Sequence, residues 1–263
     1  MPPALASFTS TEDRDTSGEG EDMDQPETVS GTGGGWRGGS DASGADRFPS
    51  RSYGAIRRRF NAGLLALLVV VATTWPAMAA PRKLLALGDS LTAGYGLPAP
   101  DGFTARLEAA LRAAGRDVSV MNAGVSGDTT AGGLARVDWA LADKPDAALV
   151  ALGANDALRG LSPADAERNL DAILAKLKAA GVPTLLVGMM APPNLGRDYG
   201  VAFDGIYRRL ADRHGVALYP FFLDGVAADP GLNQGDGIHP NAKGVAIMVE
   251  RIRPAVERLL DGK

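Results

Sequence analysis

Five short apolar runs set the strongest limit on what this chain can fold into: "KLLAL" (83–87), "VSVMNA" (118–123), "AALVAL" (147–152), "TLLVGM" (184–189) and "VALYPFF" (216–222). A run that stays apolar has no solvent face, so each reads as a strand buried on both sides, the environment of a parallel sheet covered by helices. Between the runs the pattern changes to helical period. Leu170, Ile173, Leu174 and Leu177 fall at i, i+3, i+4 and i+7 and share one helix face, with a start signal in Ser162-Pro163 and a stop signal in Gly181. Val245, Met248, Val249 and Ile252 repeat the pattern in a last helix, which Pro254 is expected to kink or interrupt because its nitrogen has no hydrogen to donate. Five strands with crossover helices make one three-layer α/β domain over residues 80–263. Such sheets hold ligands beyond the carboxyl ends of their strands, so chemistry is expected in the segments that directly follow the apolar runs.

The chain upstream differs in composition. Residues 1–55 are rich in Gly, Ser, Asp and Glu, with "GTGGGWRGGSDASGAD" at the centre, and carry too few large apolar groups to offset the entropy of ordering. They are expected to be disordered or to lie upstream of the true translation start. Residues 56–79 hold three arginines at 57–59, an apolar run from Ala62 to Ala72 and the small-x-small triplet Ala77-Met78-Ala79. That is the layout of a signal for secretion across the inner membrane, cleaved after Ala79. The run falls short of the roughly 20 apolar residues of a spanning helix, so no stable span is expected after cleavage.

Composition removes several kinds of chemistry. Residues 80–263 balance basic and acidic groups almost evenly, which gives nucleic acid no field to follow. Cysteine is absent, so there are no disulfides, no thiolate nucleophile and no Cys-ligated zinc. With two histidines far apart, His214 and His239, and no carboxylate cluster, neither a metal nor a cofactor is expected. Nothing in the sequence sets an oligomeric state.

The segments after the strands carry specific groups. After the first strand comes "GDSLTAGYG", with Asp89 and Ser90; after the second "GVSGDTT", with Ser126, Gly127 and Asp128; after the third "GAND", with Asn155 and Asp156; after the fifth, beyond a loop, "DGIHP", with Asp236 and His239. These are the parts of an acyl-transfer site. A serine hydroxyl needs a base to take its proton, and His239 is suited to that. Asp236, three residues earlier, is near enough to bond Nδ1 of the imidazole and hold one tautomer, with Gly237 letting the chain turn between them. The Ser90 and Gly127 backbone N–H groups and the Asn155 amide are candidate donors to an oxyanion. Glycine at 127 keeps a Cβ out of that approach. Pro240 suits the first position of a helix, which would make His239 its N-cap and set the ring at the positive end of the dipole.

In this order and at this spacing the four segments resemble the sequence blocks of the GDSL, or SGNH, hydrolases, and most of all the bacterial periplasmic subgroup of multifunctional thioesterase, arylesterase and lysophospholipase enzymes. "APPNLGRDYG" and "YPFFLDGV" also resemble that subgroup. The resemblance implies a three-layer α/β/α sandwich on a flavodoxin-like, five-stranded parallel sheet. It also implies Ser90 as nucleophile, Ser90, Gly127 and Asn155 in the oxyanion hole, Asp236 and His239 completing the triad, a small-molecule ester or thioester as substrate, and a periplasmic location.

Rival readings attach to some of the same residues. Ser126 is a second candidate nucleophile, although "GVSGD" lacks the second glycine of a G-x-S-x-G elbow. Asp89, Asp128 and Asp156 read as turn formers and hydrogen-bond struts. His214 precedes Gly215 at a helix end, where the dipole favours it without catalysis. Gly33-x-Gly35-x-x-Gly38 has no strand before it, and in Gly94-x-Gly96-x-x-Ala99 Pro98 opposes the helix a dinucleotide-binding protein needs. A secreted binding module without activity would be expected to lack one of the triad groups. Met190, Pro192, Pro193 and Leu195, after the fourth strand, are candidate acyl-chain contacts; the alternative is that the two prolines only stiffen a turn.

Overall fold

The computed structural model describes residues 80–262; the expected tail (1–55) and signal segment (56–79) lie outside the described residues. Strands β1 (Arg82–Gly88), β2 (Val118–Gly124), β3 (Ala147–Ala151), β4 (Thr184–Val187) and β5 (Ala217–Tyr219) form one sheet in the order β2-β1-β3-β4-β5, with every neighbouring pair parallel. Each expected run overlaps a strand. The topological switch point lies between β1 and β3, so the crevice for a ligand opens where Ser90 and Asn155 leave the sheet.

The last two strands are shorter than their apolar runs. Pro220 follows Tyr219 and has no N–H to extend a ladder, so the apolar residues beyond it serve the core instead. Phe222 is buried edge-on against Phe103, with ring centroids 4.9 Å apart.

The helices are α1 (Ser90–Ala93), α2 (Phe103–Ala113), α3 (Thr130–Leu141), α4 (Ala154–Leu158), α5 (Pro163–Ala179), α6 (Arg197–His214) and α7 (Ala242–Leu260). α2 packs on α7, α3 packs on α5, and α5 packs on α6. Leu170, Ile173, Leu174 and Leu177 are all buried along one face of α5, whose N-cap is Ser162 and whose end is followed by Gly181 at φ +70°. Each such side chain contributes about 1.5–3 kcal/mol of burial. In α7, Val245, Met248, Val249 and Ile252 are buried as expected, but Pro254 does not interrupt the helix. It lies on the exposed face, while Ala255, Val256, Leu259 and Leu260 continue the buried face beyond it. Among the described residues, no helix is long and apolar enough to cross a membrane.

Two glycines let the first turn of helix lie directly on the strand ends. A Cβ at Gly88 would fall 2.0 Å from Thr92 Oγ1, and one at Gly124 would fall 2.3 Å from Ala93 N. No larger residue fits at either place, and Ser90 is thereby held at the rim above β1 and β2.

Candidate active site

Ser90 opens α1, with Asp89 as N-cap: Asp89 Oδ1 accepts from Leu91 N at 3.0 Å. Across 149 positions of sequence, His239 Nε2 lies 2.9 Å from Ser90 Oγ. The other ring nitrogen, Nδ1, lies 2.6 Å from Asp236 Oδ2. Asp236 Oδ1 accepts from the backbone N–H groups of Ile238 and His239, both at 3.0 Å. The hydrogen bond from the His239 ring and then these two amides hold the Asp236 carboxyl down at about 2. An ionised carboxylate only accepts, so Nδ1 carries the imidazole proton and Nε2 is left to accept from the Ser90 hydroxyl. Gly237, at φ +73°, makes the short turn between acid and base.

The expected N-cap is corrected by the structure. α7 starts at Ala242, and its N-cap is Asn241, whose Oδ1 accepts from Lys243 N at 2.9 Å and Gly244 N at 3.1 Å. Pro240 forms an antiparallel bridge with Asn233, and the His239 carbonyl accepts from Gln234 N at 2.7 Å. The imidazole is therefore set by its neighbours rather than by a helix end. Tyr95 lies over it, with ring centroids 4.6 Å apart and planes at 38°. Gln234 Nε2 donates to Tyr95 O at 2.8 Å and to Pro240 O at 3.0 Å, joining the loop after α1 to the histidine turn. Neither Tyr95 nor Gln234 stood out in the sequence, although Tyr95 lies within the Ser90 segment and Gln234 two residues before Asp236.

Gly127 and Asn155 stand on the segments after β2 and β3, the strands on either side of β1. Gly127 sits in the β2–α3 loop at φ +83°, a conformation that favours glycine. A Cβ there would meet only Arg159 Nη2, at 3.6 Å, so within the protein the backbone angle, more than space, demands glycine. Asn155 Nδ2 donates to Asp128 O at 2.8 Å, which spends one of its two N–H bonds on the Gly127 loop. Asp156, buried, accepts from Thr130 N at 2.8 Å and Thr130 Oγ1 at 2.6 Å, and Arg159 Nη2 donates to Gly127 O at 2.6 Å. Among the described residues, the N–H groups of Ser90 and Gly127 donate to no other group. The arrangement offers a hydroxyl with a base, and beside it unspent donors.

Comparison with known proteins identifies the family. The sequence profile of the GDSL-like lipase/acylhydrolase family matches residues 86–247. The chain belongs to that family. It is 41% identical to Esterase TesA of Pseudomonas aeruginosa over 78% of this chain and 100% of the relative. It is 44% identical to Thioesterase 1/protease 1/lysophospholipase L1 of Escherichia coli over 67% of this chain and 84% of the relative. Among solved structures, the SGNH-hydrolase family esterase AlinE4 superposes with a TM-score of 0.60 at 51% identity, covering 70% of this chain and 99% of that one. The protein is accordingly a serine ester hydrolase with the SGNH fold.

Within this hydrolase the rival groups have other partners or none. Ser126 is exposed, and the imidazole bonds Ser90. Gly94 caps the four-residue α1, and a three-residue 3-10 turn, Ala99–Asp101, stands between Gly96 and α2, so no α-helix starts at the dinucleotide fingerprint. His214 ends α6 with Nε2 2.8 Å from Asp171 Oδ1. Among the described residues, no three His, Asp or Glu side chains gather to hold a metal. Met190 is exposed, Pro192 and Pro193 begin a 3-10 turn, and Leu195 approaches Gly160. None of the four lines the small cavity of about 10 Å³ beside Ser90, which is walled by Leu91, Tyr95, Leu97, His239, Pro240 and Val245. A cavity of about 440 Å³ lies at the opposite end of the sheet, among the residues that precede β4 and β5.

Asp89 is the one buried carboxylate of the site with an unmet oxygen: Oδ1 bonds Leu91 N, while Oδ2 has no partner among the described residues. Burial raises it from 3.8 to about 6, against the opposing pull of the Leu91 amide and His239. A carboxyl raised on folding favours the folded state fully below its unfolded value and loses that contribution as pH rises through the folded one. Asp89→Asn keeps the capping oxygen and removes the titration. Its Tm relative to the parent protein is expected to climb from pH 4 to pH 7 in thermal denaturation; a difference that stays flat over that range contradicts the assignment.

Proposed function

We propose that this enzyme hydrolyses small carboxylic esters in two steps through an acyl-enzyme on Ser90. The observation that carries the reading is the unbroken relay Ser90–His239–Asp236, at 2.9 and 2.6 Å. Ser90 Oγ attacks the carbonyl carbon as His239 Nε2 takes its proton. The carbonyl oxygen gains the negative charge against the Ser90 and Gly127 amides and Asn155. Collapse expels the alcohol or thiol, which leaves with the proton from His239. A water molecule, deprotonated by His239, then attacks the acyl-enzyme and releases the acid and free Ser90.

Aryl and short-to-medium acyl esters fit a site whose nucleophile is only half-buried and whose adjoining cavity is too small for a chain. The relative named as thioesterase and lysophospholipase supports acyl thioesters and lysophospholipids as further substrates. The acyl chain would lie along exposed and half-buried apolar surface, for which Met190, Pro192, Pro193 and Leu195 are our candidates, together with the exposed Leu158 and Leu161. Three arginines, an apolar run and the Ala77-Met78-Ala79 triplet support export to the periplasm.

The test is direct. A fluorophosphonate probe is expected to label the purified protein and not Ser90→Ala. Initial rates over p-nitrophenyl esters of increasing acyl length, an acyl-CoA and a lysophospholipid then rank the substrates. Undiminished labelling of Ser90→Ala would overturn the mechanism.

A further inference from the structure

Arg136, on α3, takes no part in the relay, yet its guanidinium reaches three separate strand-end segments. Nε donates to Asp128 Oδ2 at 2.6 Å, Nη1 to Ala123 O at 2.7 Å and Nη2 to Gly88 O at 2.8 Å. Gly88 ends β1 two residues before Ser90. Ala123 lies at the end of β2, which leads into the Gly127 loop. Asp128 follows Gly127, and its carbonyl is the group that Asn155 bonds. The pair is largely enclosed, with side-chain exposures of 19% for Arg136 and 17% for Asp128.

We propose that Arg136 is a positioning residue that fixes the spacing of the three oxyanion donors, Ser90 N, Gly127 N and Asn155 Nδ2. The inference rests on the acyl-enzyme reading. The physical case is the shape of the group. A guanidinium is planar with its five N–H bonds at fixed directions, so three bonds to three segments set their mutual distances as one rigid body. An oxyanion hole works only when its donors are preorganised, and a displacement of about 1 Å at such a site costs on the order of 10²-fold in rate. An ammonium in the same place keeps the charge opposite Asp128 but not the fork to the two carbonyls.

Arg136→Lys is the discriminating variant, with Arg136→Met beside it, each assayed well below its own Tm. Active sites are counted with a fluorophosphonate so that kcat is expressed per labelled site; partial unfolding lowers the count, whereas a misplaced oxyanion hole lowers kcat per site. Arg136→Lys is expected to lower kcat per site on p-nitrophenyl butyrate about 10- to 100-fold, with KM within about threefold. Because Arg136 acts through the same donors, its loss and that of Asn155→Ala are expected to combine to less than their product in the double variant. Wild-type kcat per site in Arg136→Lys, or losses that multiply in full, overturns the proposal. Ester turnover that persists in Ser90→Ala strikes the acyl-enzyme reading itself and removes the clamp with it.

Discussion

His239→Ala is expected to lower kcat on an activated ester by roughly 10⁴- to 10⁶-fold, the scale on which serine hydrolases depend on their histidine. The size of the effect comes from how few alternatives the site holds. At neutral pH a serine hydroxyl keeps its proton unless a base removes it, and Ser90 Oγ has His239 Nε2 as its partner at 2.9 Å. Asp89 is next in sequence, but it is buried and caps α1 through Leu91 N, and the Ser90 hydroxyl pairs with the imidazole instead. The only other histidine, His214, is bonded to Asp171 at the end of α6. KM is expected to change little, since the imidazole works on the proton and not on the acyl chain. Steady-state kinetics on p-nitrophenyl butyrate settle it: a loss smaller than about tenfold would remove His239 from the role of base.

How much of this was legible in the sequence depends on whether the signal is local. Strand positions were, because burial on both faces leaves an apolar run. The Asp236–His239 contact was also legible, because three residues and a glycine fix its reach. Pro240 points to the wrong N-cap for α7; the stronger local signal lies two residues from the histidine, in Asn241 followed by Ala242, with a side chain that reaches the first free amides of the helix. The persistence of α7 through Pro254 depends on which side of the helix the proline falls, and that is set by packing. Arg136 and Gln234 could not be found by pattern at all. Four of their five side-chain bonds end on backbone carbonyls brought near by the fold, and carbonyls leave no mark on residue type.

Asp236→Asn is expected to cost about 10⁴-fold in kcat, more than its near-identical shape suggests, and the reason lies in the two amides that Asp236 already holds. Oδ1 accepts from Ile238 N and His239 N at 3.0 Å each, while Oδ2 faces Nδ1 at 2.6 Å. An asparagine satisfies those two backbone donors only with its own Oδ1, so its NH₂ group must point at Nδ1. Nδ1 must then accept, the imidazole proton moves to Nε2, and the atom that should take the Ser90 proton already carries one. Asp236→Ala leaves the tautomer free and is expected to retain more activity than Asp236→Asn, an inversion that a simple loss of charge does not give. With its carboxyl held at about 2, Asp236 itself stays ionised across the working range. The same depression has a consequence for stability. A carboxyl lowered on folding contributes above its unfolded value, 3.8, and loses that contribution as pH falls toward 2. The Tm gap between the parent protein and Asp236→Asn is therefore expected to be constant from pH 7 to pH 5 and to close below pH 4. Asp236→Asn retaining more than about a tenth of the parent kcat, or outperforming Asp236→Ala, would show that the carboxylate does not set the tautomer of His239.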